Sequence, residues 1–306
     1  MTRGLTRFFR ATRAVDALDL SVLPGELFGL VGPDGAGKTT TLRLLSGLLE
    51  LTSGSATVAG YDLARQPECI RPKIGYMAQR FSLYGELTVL ENLSFFAELY
   101  EVEIGDLEQR RKRLLQFAGL VDFERRRASH LSGGMKKKLA LACTLIHDPP
   151  ILLLDEPTTG VDPVSRREFW DILTELHIDG TTVVVSTPYM DEADRCSRVG
   201  LMYDGRLLVC DEPQAIRDQV EDDLIEVLAD DWQAAHAVAA NLPGVLEVQT
   251  YGESLHLLLD PDQLGIAEVE ATFREHGVSY RSIRPVTPRM EEAFISLIRR
   301  AERSEA

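Results

Sequence analysis

The stretch ELFGLVGPDGAGKTTTLRLLSGLL, residues 26–49, decides the fold. It runs from a short apolar strand pattern through a glycine-rich turn into the helical segment KTTTLRLLSGLL. Within it, GPDGAGKTT (Gly32 to Thr40) fits G-x-x-x-x-G-K-[ST], the phosphate-cradling loop, in the strand-then-helix context that the motif requires. Glycines there let backbone N–H groups wrap phosphate oxygens at a helix N-terminus, Lys38 reaches the outer phosphates, and the Thr39 hydroxyl can ligate Mg²⁺. Gly32, Pro33, Asp34, Gly35, Ala36, Gly37, Lys38, Thr39 and Thr40 are therefore the candidate nucleotide-binding set.

Two further apolar runs, ILLLD (151–155) and TVVVS (182–186), alternate with helical patterns, as parallel strands buried on both faces do. An α/β fold follows, a P-loop NTPase. The first run continues as DEP. Asp155 at the strand end can hold Mg²⁺, through water, and Glu156 is placed to polarise an attacking water. Residues from about 86 to 148 carry apolar spacings of three and four, the pattern of an inserted helical subdomain. At 187–196, TPYMDEADRC places Pro188 where the first residue of a helix would sit, with Thr187 as its cap.

Beyond about residue 220 the texture changes. Strand, helix, strand, strand, helix, strand and a last helix can be read over 222–306, the βαββαβ order of a small α+β ferredoxin-like unit. The expected domains are 1–220 and 221–306. With 306 residues and a net charge of −15, the chain is an ordinary globular one in which a broad electrostatic grip on nucleic acid is not expected. Its four cysteines are scattered without a CxxC pair, which argues against a zinc site or disulfide framework. The basic N-terminus lacks an apolar signal core, and no apolar run approaches the ~20 residues needed to cross a bilayer. Any membrane part must then come from another chain.

LSGG (131–134) opens an apolar helix with a second anion-binding terminus. Taken in order, the P-loop, the glutamine of YMAQRFSLYGELTVLENL, LSGG, LLLDEP and GVDP resemble the nucleotide-binding subunit of ATP-binding cassette (ABC) transporters, over about residues 5–215. The resemblance implies ATP and Mg²⁺ as ligands and a head-to-tail dimer. It makes Gln79 the loop glutamine that touches Mg²⁺ and the attacking water. Ser132, Gly133 and Gly134 become the signature closing over ATP held by the opposite subunit, Asp162 the loop carboxylate that crosses the dimer, and Phe9 the aromatic that stacks on adenine. Met135 stands where the family usually has glutamine. Pro188 stands where a histidine usually holds the γ-phosphate, water and Glu156 in line, and proline offers neither side-chain donor nor backbone N–H. Tyr189 is a conceivable substitute. Relatives usually carry a short strand before the position of Leu5, so either a truncated start or a reduced edge is expected here.

The C-terminal stretch RPVTPRMEEAFISLIRR resembles the tail of bacterial ABC-2-type exporter subunits, and the P-loop, signature and missing histidine resemble the first cassette of tandem-ATPase relatives. What this implies is an ATPase subunit on the cytoplasmic face of the cell membrane, docked near Gln79 to Tyr100 on an ABC-2-type permease. It would pair with a second copy or a second ABC ATPase. The rivals are a catalytically weak ATP-binding regulatory partner and a soluble ABC ATPase of DNA repair or ribosome rescue. The second rival calls for arms, zinc modules or basic linkers, which a short helical insert in an acidic chain does not provide.

Overall fold

The computed structural model describes residues 1–80 and 83–305. By contacts the chain divides into two compact units, Met1–Glu212 and Pro213–Ala306. The break falls before residue 220 because the short helix Pro213–Arg217 buries Ile216 completely and packs against the last helix of the second unit.

The first unit opens on a hairpin, β1 (Thr2–Phe9) and β2 (Thr12–Leu18). Next come β3 (Leu27–Val31) and, across the glycine-rich loop, α1 (Lys38–Leu45). β4 (Ser53–Val58) and the two-residue β5 (Tyr61–Asp62) complete an antiparallel sheet of order β2-β1-β4-β5, so the segment holding Leu5 is itself a paired strand. A single helical turn, α2 (Pro67–Ile70), leads to β6 (Ile74–Met77). The helical segment follows as α3 (Val89–Leu99), α4 (Ile104–Phe117) and α5 (Gly133–Thr144). Thr88 starts α3 with a capping box, its hydroxyl accepting from the Glu91 amide at 3.2 Å while Glu91 accepts from the Thr88 amide at 2.7 Å. The chain returns through β7 (Ile151–Asp155), α6 (Pro163–Ile178), β8 (Thr182–Thr187), β9 (Arg198–Tyr203) and β10 (Arg206–Asp211).

These strands form a six-stranded sheet of order β10-β9-β3-β8-β7-β6, parallel apart from the edge strand β10. Every residue of β3 is buried, as are Leu152 to Asp155 and Val183 to Thr187, which is why these strands read as unbroken apolar runs. The C-terminal ends of β3, β6, β7 and β8 come to one edge, where ligands bind in open parallel sheets. The segment after β8 departs from the sequence expectation. Instead of a helix beginning at Pro188 and capped by Thr187, an extended Tyr189 precedes a 3₁₀ segment, Met190–Arg195. Thr187 is otherwise engaged: its hydroxyl donates to Glu192 at 2.5 Å and accepts from the Tyr189 amide at 3.1 Å.

The second unit begins with α7 (Pro213–Arg217) and runs β11 (Asp223–Ala229), α8 (Trp232–Ala239), β12 (Val245–Tyr251), β13 (Ser254–Leu259), α9 (Ile266–Glu275), β14 (Tyr280–Pro285) and α10 (Met290–Glu305). Its sheet order is β12-β13-β11-β14 with every neighbouring pair antiparallel, the arrangement of two interleaved βαβ halves. Phe273 and Val269 of α9 and Ala235 and Ala239 of α8 pack with Val227, Leu255 and Leu257 in one core. Phe273 is fully enclosed, so Phe273→Ala is expected to destabilise this unit by about 3–5 kcal/mol. Amide hydrogen exchange across Asp223–Pro285, faster in the variant by that free energy, would check it.

Candidate phosphate and metal site

Gly37 precedes α1 in the left-handed region, at φ +100°, and a Cβ built there would lie 2.4 Å from the Ala14 carbonyl oxygen. Only glycine fits this backbone. At Gly32 a Cβ would lie 2.2 Å from the Met202 carbonyl oxygen, so the loop is pinned between β2 and β9 by close backbone approach. The loop thus presents its amides at the positive end of α1, whose first turn carries no acidic residue. Pro33 and Ala36 close a turn, with the Ala36 amide donating to the Pro33 carbonyl at 3.2 Å, while Asp34 and Gly35 at its tip are exposed.

Lys38 points back over this loop. Its ammonium donates to the carbonyls of Gly32 at 2.8 Å and Pro33 at 2.9 Å and lies 3.4 Å from a carboxylate oxygen of Glu156. Thr39, the next residue of α1, donates its hydroxyl to Asp155 at 2.8 Å, and Thr40 follows on the same turn. Asp155 is fully buried at the end of β7 and also accepts from Ser186 at 2.9 Å and Tyr76 at 3.4 Å. Burial first, and Asp155 second, raise the Tyr76 phenol above its ordinary value, so it stays protonated and donates. A hydroxyl and a buried carboxylate together are the hard oxygen set that Mg²⁺ takes, and the donor chemistry fits.

Glu156 is held in a left-handed conformation, φ +46°, which costs on the order of 1–3 kcal/mol for a non-glycine residue. Its amide donates to both the carbonyl (3.1 Å) and the hydroxyl (3.0 Å) of Ser186, the neighbour that the β7–β8 register places beside Asp155. Its carboxylate accepts from Gln79 at 2.8 Å and Thr159 at 3.3 Å. Gln79, two residues past β6, is tied in turn by Lys137 of α5, whose ammonium donates to the Gln79 carbonyl at 3.0 Å. Burial lowers the Lys137 pKa, and the Asp155 and Glu156 carboxylates work against that shift. The structure thus brings together Lys38, Thr39, Asp155, Glu156 and Gln79. Sequence reading missed Ser186, Tyr76 and Lys137. Lys137 is the middle residue of the KKK run at 136–138, and no sequence pattern marks it.

The remaining candidates lie outside this knot. Ser132 caps α5, accepting from the Met135 amide at 3.2 Å, and is exposed together with Gly133, while Gly134 is buried. Asp162 caps α6 and accepts from the amides of Val164 at 3.1 Å and Ser165 at 3.0 Å, with the Ser165 bond foremost in lowering its pKa. Phe9 is 42% exposed at the end of β1, paired with Thr12 and with the Arg7 guanidinium 4.8 Å above its ring. Tyr189 has its ring stacked 4.4 Å from the Arg166 guanidinium. Phe81 and Ser82, in the stretch that joins Gln79 to the helical segment, lie outside the described residues.

The family described as ABC transporter matches residues 15–159, from β2 through the turn after Glu156. A daunorubicin resistance ATP-binding protein, DrrA2 of Streptomyces coeruleorubidus, is 37% identical over 300 residues, covering 96% of this chain and 93% of the relative. The chain belongs to the ABC transporter family. A probable multidrug ABC transporter ATP-binding protein, YbhF of Escherichia coli (strain K12), is 43% identical over 299 residues, and there this ABC chain spans half the relative's length. Among solved structures, a dimeric ATP-binding cassette in a post-hydrolysis state bound to ADP and Pi is 28% identical with a TM-score of 0.63, over 69% of this chain and 97% of that one. An ATP-binding subunit of an ABC transporter is 30% identical with a TM-score of 0.64, over 71% and 91%. The ABC ATPase fold expected from the sequence is therefore the fold observed. Among the described residues, no helix is long and apolar enough to cross a membrane.

Proposed function

We propose that this ABC chain is the ATP-binding and ATP-hydrolysing subunit of an ABC-2-type exporter, acting at the cytoplasmic face of the cell membrane with a separate permease. The observation that carries the hydrolytic reading is the convergence of Lys38, Thr39, Asp155, Glu156 and Gln79 at one sheet edge. The relatives' names, a multidrug and a daunorubicin resistance protein with a Nod factor export protein beside them, support the export of a small organic compound.

In this reading the loop amides and Lys38 take the β- and γ-phosphates, so Lys38 exchanges its contacts with the Gly32 and Pro33 carbonyls for phosphate oxygens. Thr39 and Asp155 hold Mg²⁺, which supplies charge neutralisation on the phosphates. Glu156 accepts a proton from the attacking water, Gln79 orients that water and Phe9 stacks on the adenine ring. The hairpin that carries Phe9 runs beside the loop, since Ala14 of β2 sits against Gly37. Ser132, Gly133, Gly134 and Asp162 complete the site of a second cassette, either another copy or a different ABC ATPase. The exposed rings of Tyr84 and Tyr100 and the side chain of Leu99 belong to the permease-facing surface.

Pro188 favours a second reading, an ATP-binding partner that turns over slowly beside a faster ATPase. Loss of one pre-positioned electrostatic contact typically costs ~10²–10³ in rate. Wild-type hydrolysis is thus expected to be slow, and Pro188→His to raise it at least about tenfold, because Glu156 and Gln79 are already in register. Steady-state Mg-ATP hydrolysis by the purified chain decides between the readings. A fast wild type with an unaltered histidine variant would remove the slow-partner reading, and no hydrolysis by either would remove the hydrolytic one.

A further inference from the structure

Glu192, in the 3₁₀ segment after β8, is 1% exposed and plays no part in the reaction set out above. One carboxylate oxygen accepts from the Thr158 hydroxyl at 2.8 Å and the Arg166 Nε at 2.6 Å, and the other accepts from the Thr187 hydroxyl at 2.5 Å. Arg166 extends outward to Asp191 at 2.7 Å and covers the Tyr189 ring. The carboxylate therefore joins three segments. Thr158 lies two residues past Glu156, Thr187 is the last residue of β8 and follows Ser186, and Arg166 is in the first turn of α6.

Those segments are the ones that fix Glu156. The left-handed backbone of Glu156 is held on one side by the carbonyl and hydroxyl of Ser186. On the other side the chain turns immediately, the Thr159 amide donating to the Glu156 carbonyl at 3.3 Å and the Val161 amide to the Thr158 carbonyl at 3.2 Å. A strained carboxylate keeps its aim only if both flanks are immobile. Glu192 binds both flanks through the two threonine hydroxyls. We propose that Glu192 is a positioning residue for the hydrolytic carboxylate, clamping the ends of β7 and β8 so that Glu156 faces the phosphate site. The inference rests on the hydrolytic reading of Glu156. It gives the clamp particular weight here, because Pro188, between Thr187 and Tyr189, contributes no side-chain hydrogen bond to the turn.

The chemistry calls for a carboxylate. Three donors converge on it, two hydroxyls and a guanidinium, and an amide would turn an NH₂ toward one of them and leave Arg166 without its buried counter-charge. Glu192→Gln in the full chain is expected to lower kcat for Mg-ATP about 10- to 100-fold while KM and nucleotide Kd stay within about threefold, since the P-loop is untouched. Thr158→Val, which removes one donor at nearly constant shape, is expected to lower kcat several-fold with the same unchanged KM. It carries the test if the glutamine variant fails to fold. Glu156→Gln, made alongside, sets the background. A hydrolysing wild type beside folded Glu192→Gln and Thr158→Val variants with kcat within twofold of it would overturn the inference alone, as would a raised KM at constant kcat. A wild type no faster than Glu156→Gln would overturn the hydrolytic reading and the inference together.

Discussion

Lys38→Ala is expected to abolish measurable binding of Mg-ATP at millimolar concentration. The ammonium is enclosed, with 3% of the side chain exposed, and it hangs from two carbonyls of its own loop, so it is pre-placed over the cradle where phosphates lie. Removing one partner of such a desolvated charge pair costs about 2–5 kcal/mol, a factor of roughly 30 to several thousand in Kd. The variant also leaves the Glu156 carboxylate, 8% exposed, without its cation at 3.4 Å, so a repulsive charge faces the incoming phosphates. Titration with a fluorescent ATP analogue, checked by calorimetry, measures the loss. A Kd within threefold of wild type would show that nucleotide, if bound at all, is not held by this loop.

What the sequence made legible follows from which forces are local. The loop from Gly32 to Thr40 could be read because its backbone demands are written as glycines at fixed offsets, and β3, β7 and β8 because burial on both faces leaves unbroken apolar runs. The second unit was legible for the opposite reason. Its strands have one covered and one more open face, and β11 alternates accordingly, Ile225 and Val227 facing the core with Glu226 between them paired to Arg284. β6 and β9 escaped, being short runs broken by Gly75 and Gly200, whose missing side chains admit close neighbours from adjacent elements.

Side chains that depend on register between distant strands were not legible either. Ser186 matters because the β7–β8 pairing sets it opposite Asp155, and nothing within VVVST singles it out. Thr187 was read as a cap for a helix at Pro188, a local inference. Glu192, five residues on in the 3₁₀ segment, claims its hydroxyl instead, and what places that carboxylate is its pairing with Thr158 and Arg166 from elsewhere in the chain. Tyr76 and Lys137 belong to the same class: each is ordinary in its own segment and acquires its meaning from a carboxylate or carbonyl on another.

The proposed reading gives this chain two helix termini for nucleotide, the P-loop before α1 and the signature before α5. On the proposed reading of this chain as the slow partner of a consensus ABC ATPase, the P-loop, Asp155 and Glu156 would serve the site burdened by Pro188, whereas Ser132, Gly133 and Gly134 would complete the partner's fast one. Ser132→Arg is therefore expected to cut steady-state hydrolysis by the assembled transporter about a hundredfold, and Glu156→Gln only a few-fold. Gly134 is not a clean probe, because a Cβ there would lie 2.4 Å from the Ser165 hydroxyl, whereas Gly133 faces open space and accepts a side chain without disturbing the fold. Gly133→Asp should thus reproduce the Ser132→Arg loss by repelling phosphate. Ser132→Ala separates the two contributions of the serine: it forfeits the cap, worth about 1 kcal/mol to α5, but adds neither bulk nor charge, so its activity should fall between the wild type and the arginine variant. ATPase assays on the purified complex, one variant at a time, make the comparison. If Glu156→Gln removes nearly all turnover while Ser132→Arg and Gly133→Asp stay near wild type, this chain's own pocket is the working site, and Pro188 does not weaken it.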